Sequence, residues 1–288
     1  MTTPPDPTTP TTPGPEDPAS GDLAGPGPAG GELAYGDDVL RVEHVSKRFG
    51  AVTALTDINL HLRRGEVLAL LGDNGAGKST LIKIICGFQP PDTGRIVLNG
   101  QPVAFKTVDQ SRAAGIDVVY QDLALIDELT VYHNMFLKRE LTRWPLLANR
   151  AMRKAARARL DEMGIGLKSV DAEVARLSGG QRQAIAIARA IYSDAKVLLL
   201  DEPLAAMGAK EAALILDLIK DLKTRGDVSI IVIAHNYGQV LEIADRVNLL
   251  QHGEITFDKP AHNTSVQELN DIVIAEYRAA MEARQRTG

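Results

Sequence analysis

From residue 39 onward, apolar and polar positions alternate in short blocks. Residues 39–45 and 54–62 switch between apolar and polar side chains, the period-two pattern of strands with one buried face. Residues 66–71 form a short apolar run fit for a buried strand, and Leu81-Ile82-Lys83-Ile84-Ile85 opens a helix soon after. Residues 95–101 read as a strand ending at a turn, and 116–120 as a buried strand with Gln121 at its end. The rhythm breaks over residues 122–176, where 130–137 and 149–163 carry helical spacing and Trp144-Pro145 marks a loop between them. Strand and helix then alternate again. Ser178-Gly179-Gly180 caps a helix running to about Tyr192, and the buried strand 197–200 ends in Asp201-Glu202. An amphipathic helix over 209–224 precedes a buried strand, 228–233, that leads to His235. Residues 247–250 and 254–257 make a hairpin around His252-Gly253, and 265–284 read as a charged terminal helix.

Composition sets the amino-terminal segment apart. Nine of the chain's 15 prolines lie within the first 30 residues, among Thr and Gly and almost no large apolar side chains. Residues 1–37 cannot bury enough surface to repay their ordering entropy and are expected to be disordered. That leaves 38–261 as one α/β domain with a helical insertion at about 122–176, and 262–288 as a carboxyl-terminal helix. The formal net charge of −5 gives no support to nucleic-acid binding. A single cysteine, Cys86, rules out an internal disulfide or a zinc cluster, and its apolar neighbours make it a core residue. No apolar run approaches the ~20 residues that span a bilayer. Arg41 is the first basic residue, so a secretory leader would lack its charged start, and a cytoplasmic protein is expected unless a partner holds it at a membrane. The helix over 149–163 carries Arg150, Arg153, Lys154, Arg157 and Arg159, mostly near one face: a solvated face, or a contact with a partner or lipid headgroups.

The chemistry begins at Gly72-Asp73-Asn74-Gly75-Ala76-Gly77-Lys78-Ser79-Thr80, which fits G-x-x-x-x-G-K-[ST] between a strand and a helix. Glycines there let backbone N–H groups converge on phosphates, and the helix N-terminus adds partial positive charge. Lys78 would reach the outer phosphates and the Ser79 hydroxyl would ligate Mg²⁺. Four apolar strands end in such polar elements: the glycine loop, Gln121, Asp201-Glu202 and His235. In an open α/β sheet these ends border the ligand crevice. Ser79, Gln121 and Asp201 supply hard oxygen ligands for Mg²⁺, directly or through water. Glu202 can deprotonate an attacking water, and His235 can hold the γ-phosphate and water in line. The plain reading of Asp201-Glu202 is a strand-end charge pair, and that of His235 a satisfied rim histidine. Phe49, in the loop between the first two strands, is either a rim side chain or an aromatic placed to stack on a base. Leu177-Ser178-Gly179-Gly180-Gln181 is a second anion-binding helix start. One nucleotide hardly needs two cradles unless the second serves a neighbouring molecule, which implies a head-to-tail two-fold dimer.

With these motifs in this order and spacing, the chain resembles the ATPase subunits of ATP-binding cassette (ABC) transporters over roughly residues 39–260. The resemblance implies a P-loop NTPase core with an antiparallel β subdomain and an inserted helical subdomain at 122–176 that docks on a transmembrane permease. It implies ATP and Mg²⁺ as cofactors, Phe49 as the adenine-stacking aromatic, residues 72–80 as the Walker A loop and Gln121 as the Q-loop glutamine. By the same likeness, Ser178, Gly179, Gly180 and Gln181 belong to the signature, Asp201 ends the Walker B strand, Glu202 is the catalytic base and His235 the switch histidine. The partners implied are a second copy closing on two ATP molecules, permease subunits that hold the pair at the cytoplasmic face of the membrane, and indirectly a solute-binding protein. Val119-Tyr120-Gln121, Asn134-Met135-Phe136-Leu137 and Ala234-His235-Asn236 are similar to the carbohydrate-importer branch, with fructose- and ribose-type systems the nearest likeness. Two positions depart from the family pattern: Leu204 where Thr is usual after Glu-Pro, and Gly208 where many members carry Asp. Import of a monosaccharide is the reading; an exporter, a soluble ABC ATPase on ribosomes or DNA, and a nucleotide-gated module without turnover stand as alternatives.

Overall fold

The computed structural model describes residues 37–287, so the tail read as disordered lies outside the described residues save for Asp37. β1 (Asp38–Phe49) and β2 (Val52–Arg63) form a long antiparallel hairpin in which Phe49 faces Val52 across a two-residue turn. Phe49, expected in a loop, is instead the last residue of a strand. The apolar alternation fades at Ser46, but the backbone ladder continues through Lys47 and Arg48 because polar side chains do not oppose pairing on a solvated edge. β3 (Val67–Leu71) is buried throughout and leads by the glycine loop into α1 (Lys78–Ile85). β4 (Thr93–Leu98) and β5 (Gln101–Val103) turn at Asn99-Gly100, two residues before the expected end of that strand. Both turn residues have positive φ, 48° and 76°, as a two-residue hairpin with the native twist requires. α2 (Val108–Ala113) was not foreseen; it is six residues long, and its cap is the Thr107 hydroxyl accepting from the Gln110 N–H at 3.3 Å.

β6 (Ile116–Val119) is followed by the part of the chain that departs from strand–helix alternation. It holds α3 (Val131–Met135), a small hairpin of β7 (Thr142–Arg143) and β8 (Leu146–Leu147), and α4 (Asn149–Glu162). Trp144-Pro145, expected within a loop, is the turn of that hairpin. α4 buries Met152, Ala156 and Leu160, spaced four apart, and turns its basic residues away from them. Alternation resumes with α5 (Gly179–Tyr192), β9 (Val197–Asp201), α6 (Ala209–Arg225) and β10 (Ser229–Ile233). α7 (Tyr237–Leu241), a second short helix that periodicity missed, is capped by the Asn236 side chain accepting from the Gln239 N–H. β11 (Arg246–Gln251), β12 (Glu254–Pro260) and α8 (Val266–Thr287) complete the chain.

The strands make an antiparallel sheet of order β2-β1-β4-β5 and a six-stranded sheet of order β12-β11-β3-β10-β9-β6. In the second, β11, β3, β10, β9 and β6 run parallel and only β12 is reversed. β11 thus does more than form a hairpin: it joins the core sheet beside the phosphate-loop strand. Along β3, Leu68 and Leu70 face a core shared with α1 and the antiparallel sheet. Val67, Ala69 and Leu71 face the opposite core, built with α3, α4, α5 and α6. Leu70, Ile233 and Asp201 occupy one register row, with Leu200 beside Val119 in the next. The loops after all four strands therefore leave from the same edge of the sheet. This is the α/β architecture of a P-loop core with an antiparallel β layer and a helical insertion.

A buried ion cluster ties the two sheets together. Arg246 on β11 is 7% exposed, and its Nε donates to Glu66 Oε1 at 2.8 Å, the carboxylate itself being 7% exposed. The same guanidinium donates to both Asp258 oxygens at 3.0 Å and to the His61 carbonyl oxygen on β2. Burial lowers the Arg246 pKa, but the Glu66 and Asp258 carboxylates outweigh it and hold it above its usual value.

Candidate active site

The glycine loop is walled by backbone from distant strands. A Cβ on Gly72 (φ +143°) would lie 2.1 Å from the Leu250 carbonyl oxygen on β11, and one on Gly77 (φ +110°) 2.6 Å from the Ala54 carbonyl oxygen on β2. Only glycine fits either place, both for its backbone angle and for want of room. The turn is closed by Ala76 N–H donating to the Asp73 carbonyl at 3.2 Å, and it is fastened to the β11–β12 turn by Gly253 N–H donating to the Ala76 carbonyl at 3.0 Å. Lys78 is 6% exposed, and its Nζ donates to the carbonyl oxygens of Gly72 at 2.5 Å and Asp73 at 2.8 Å. Its pKa is lowered by burial, against which the charges of Glu202, Asp73 and Asp201 act. Asp73, Asn74, Gly75 and Ser79 are exposed, and Thr80 half-buried, on α1's first turn and the loop before it.

Next along the sheet edge, Asp201 ends β9 and Glu202 follows it with φ +52°, a left-handed backbone angle unusual for a side chain of this size. The angle is held by Glu202 N–H donating to the Ile233 carbonyl at 3.0 Å. It swings the carboxylate toward the β10 end, where Glu202 Oε1 lies 2.5 Å from His235 Nε2. Asp201 has its pKa raised, by burial first and then by the charge of Glu202, with Lys78 opposing. A carboxylate whose folded pKa exceeds its ordinary 3.8 gives stability that is full below 3.8 and lost as pH rises through the folded value. Asp201→Asn is therefore expected to raise the urea midpoint of the nucleotide-free protein at pH 7–8, with the two proteins converging as pH falls toward 3.8. A lower midpoint for the variant at neutral pH would show that the carboxylate is already stabilised there.

The donor set fits a divalent cation shared with phosphate. Asp201 and Glu202, adjacent and partly buried, repel each other, and added positive charge relieves both burdens. Among the described residues, no group of three or more His, Cys, Asp and Glu makes a cage of protein ligands alone. A cation here would complete its shell with phosphate oxygens and water.

Gln121 follows β6 by two residues. It is exposed and lines a small cavity with Asp127 and Arg182, and among the described residues no hydrogen bond joins it to Ser79 or Asp201. Its loop is fastened to α5 by Arg189, which donates to the carbonyl oxygens of Leu123 at 2.9 Å and Ala124 at 2.8 Å. Phe49 is 49% exposed at the tip of the β1–β2 hairpin, its ring centroid 5.7 Å from Lys47 Nζ. The helix start at Ser178 is capped within itself. The Ser178 hydroxyl accepts from the Gln181 N–H, and Gln181 Oε1 accepts from the Ser178 N–H, a reciprocal cap. A Cβ on Gly180 would press on α6, 2.9 Å from Glu211 Cβ. Among the described residues, no hydrogen bond links Ser178, Gly179, Gly180 or Gln181 to the glycine loop of the same chain. Ser178→Ala is expected to lower the unfolding free energy by about 1 kcal/mol, read from urea titration.

Comparison with known proteins gives the family. A sequence model of the family described as ABC transporter matches residues 55–205. The chain belongs to the ABC transporter family. It is an ATP-binding cassette, an ATPase coupled to transport. The chain is 45% identical over 236 residues to the xylose/arabinose import ATP-binding protein XylG of Sulfolobus acidocaldarius, covering 82% of this chain and 94% of that one. It is 44% identical to the fructose import ATP-binding protein FrcA of Rhizobium meliloti, covering 75% and 86%. A ribose import ATP-binding protein of Burkholderia ambifaria is 39% identical over 81% of this chain, which spans 46% of that longer relative. Among solved structures, a nucleotide-free ATP-binding cassette superimposes with a TM-score of 0.71 at 26% identity, covering 82% of this chain and 95% of that one. A dimeric cassette in a post-hydrolysis state with ADP and Pi gives 0.66 at 26% identity, covering 78% and 100%.

The two departures from the ABC pattern have plain settings in this cassette. Leu204 packs on the core between the sheet and the helical layer. Gly208 is the N-cap of α6, with φ −69° and ψ 160°, no side-chain cap and nothing within 4 Å of a built Cβ. Gly208→Asp is accordingly expected to stabilise the cassette by a few tenths of a kcal/mol in a thermal melt, by supplying the missing cap. Sequence reasoning missed Arg189 altogether. Its signal was an arginine in the otherwise apolar stretch 184–191, a cation that must find acceptors once its helix is buried.

Proposed function

We propose that the chain is the ATP-hydrolysing subunit that powers uptake of a monosaccharide, working as two head-to-tail copies beneath a membrane permease. The observation that carries this reading is the pairing of Glu202 with His235 beside the walled phosphate loop, in a chain most of whose length matches sugar-import ATP-binding proteins. Loop N–H groups and Lys78 bind the β- and γ-phosphates, Phe49 stacks on adenine, and Ser178, Gly179, Gly180 and Gln181 meet the nucleotide of the second copy. Ser79 and Asp201, with Gln121 once its loop closes inward, would hold Mg²⁺, which supplies charge neutralisation between the phosphates. Glu202 takes a proton from the attacking water while its oxygen bonds to the γ-phosphorus. The bond to the β-γ bridging oxygen breaks, and ADP and phosphate leave. His235 orients Glu202 and the γ-phosphate.

The permease fits the groove between the α2–β6 side and the helical insertion. It has a volume of about 460 Å³ and is lined in part by Arg112, Ala124, Leu137, Lys138 and Arg189. Arg189 thus touches both the groove and the loop that carries Gln121. Among the described residues no helix is long and apolar enough to cross a membrane, so the permease would hold the cassette at the inner face. Purification from gently solubilised native membranes tests the reading. Recovery of a multi-spanning permease with a solute-binding protein, and ATP turnover stimulated by that protein loaded with xylose, arabinose, fructose or ribose, is the expected result. A permease without a binding protein would point to export, and recovery with ribosomes or DNA would overturn transport.

A further inference from the structure

The β7–β8 hairpin is the most exposed apolar feature among the described residues. Trp144 is 92% exposed, Leu146 72% and Leu147 48%, and Leu141 at its base is 36% exposed. The hairpin's base is closed by Ala148 N–H donating to the Leu141 carbonyl at 2.7 Å, so the tip is a short, built projection. It is set in positive charge. Residues 138–159 contain eight Lys and Arg and one acid, Glu140, in a chain whose net charge is −5. Arg153, Arg157 and Arg159 pair with Asp171, Asp161 and Glu162. Lys138, Arg139, Arg143, Arg150 and Lys154 make no ion pair among the described residues. Arg150 and Lys154, four apart, stand on the face of α4 opposite Met152 and Ala156. The segment also leaves directly from the groove wall at Leu137 and Lys138.

We infer that this hairpin and the outward face of α4 form a membrane-interface anchor that takes up anionic phospholipid headgroups. An indole and leucines on a hairpin flanked along the chain by unpaired cations match the two layers of a bilayer surface. The apolar side chains enter at the acyl boundary, and the guanidinium and ammonium groups stay with the phosphates. The groove at the hairpin's base is lined as far as Arg139 and by neither Trp144 nor Leu146 nor Leu147, so the apolar tip, with a 92% exposed tryptophan, is left for a flat apolar layer. The contact goes beyond the transport reading and does not depend on it, since it needs lipid and no permease.

Trp144 is the chain's only tryptophan, so its fluorescence reports on this tip alone. Full-length protein is mixed with vesicles of phosphatidylcholine containing 30% phosphatidylglycerol, and with vesicles of phosphatidylcholine alone, at low and high salt. The expected result is a blue shift of emission and quenching by brominated acyl chains, only with the anionic vesicles and weakened by salt. Replacing Arg143, Arg150 and Lys154 together by Gln should weaken co-sedimentation on the order of 100-fold, about fivefold for each cation lost. Trp144→Ala should weaken it without changing ATP hydrolysis in detergent solution. Equal binding to neutral vesicles, or an unshifted emission with both kinds, would overturn the inference. So would a shift that appears only when a permease is present and ignores lipid charge, because a protein loop would then cover the tip. ATP turnover and permease recovery are read separately, so failure here leaves the transport reading intact.

Discussion

Glu202→Gln is expected to cut steady-state ATP hydrolysis by ~10²–10⁴ while leaving ATP affinity unchanged. The amide keeps the shape of the side chain and can still hydrogen-bond His235, now 2.5 Å from Glu202 Oε1, but it cannot accept a proton. The groups proposed to hold phosphate, Lys78 and the loop N–H groups, are untouched. Phosphate release and nucleotide binding measured on the same preparation separate the two effects. If closing of two copies on ATP precedes hydrolysis, the variant should also accumulate as a dimer in ATP. Undiminished turnover would remove Glu202 as the base and leave His235 as the group to test.

Arg246→Ala is expected to lower the unfolding free energy by about 3–5 kcal/mol, the cost of leaving a buried charge without its partner. Glu66 would be the orphan, 7% exposed at the entrance to β3. Its remaining donor is the Arg63 N–H at 2.7 Å, too little for a full negative charge. A urea titration reads the loss. Replacing both partners, Arg246→Met with Glu66→Gln, should recover much of it, because the pair is stabilising mainly against being broken. A loss under about 1 kcal/mol for the single variant would mean that water reaches Glu66.

Much of this was legible in the chain. β3, β9 and β10 announce themselves as apolar runs followed by polar residues, and a parallel order places those residues on one edge. Phe49 was misplaced because apolar alternation reports burial, whereas strand pairing on a solvated edge continues without it. α2 and α7 were missed because five or six residues make less than two helical turns, too few for a period of 3.6 to register. Their caps, Thr107 and Asn236, were the available signal. Arg189 and its hold on the loop after Gln121 were harder. Each depends on carbonyl oxygens that become neighbours only after α5 has packed beneath a loop some 65 positions earlier in the chain. No local pattern encodes such a meeting.

The walls of the phosphate loop carry a consequence for how the protein is made. Ala54, Gly77 and Leu250 meet within a few ångströms of one another, yet almost 200 positions separate the first from the last. A nascent chain exposes the complete G-x-x-x-x-G-K-[ST] motif long before β11 has left the ribosome. Until that strand slots in beside β3, the loop has lost the backbone that confines Gly72 and the Gly253 tether on Ala76. The motif is therefore translated early and becomes a binding site late. Nucleotide in the cell would engage the chain only near the end of synthesis and then stabilise what has just closed.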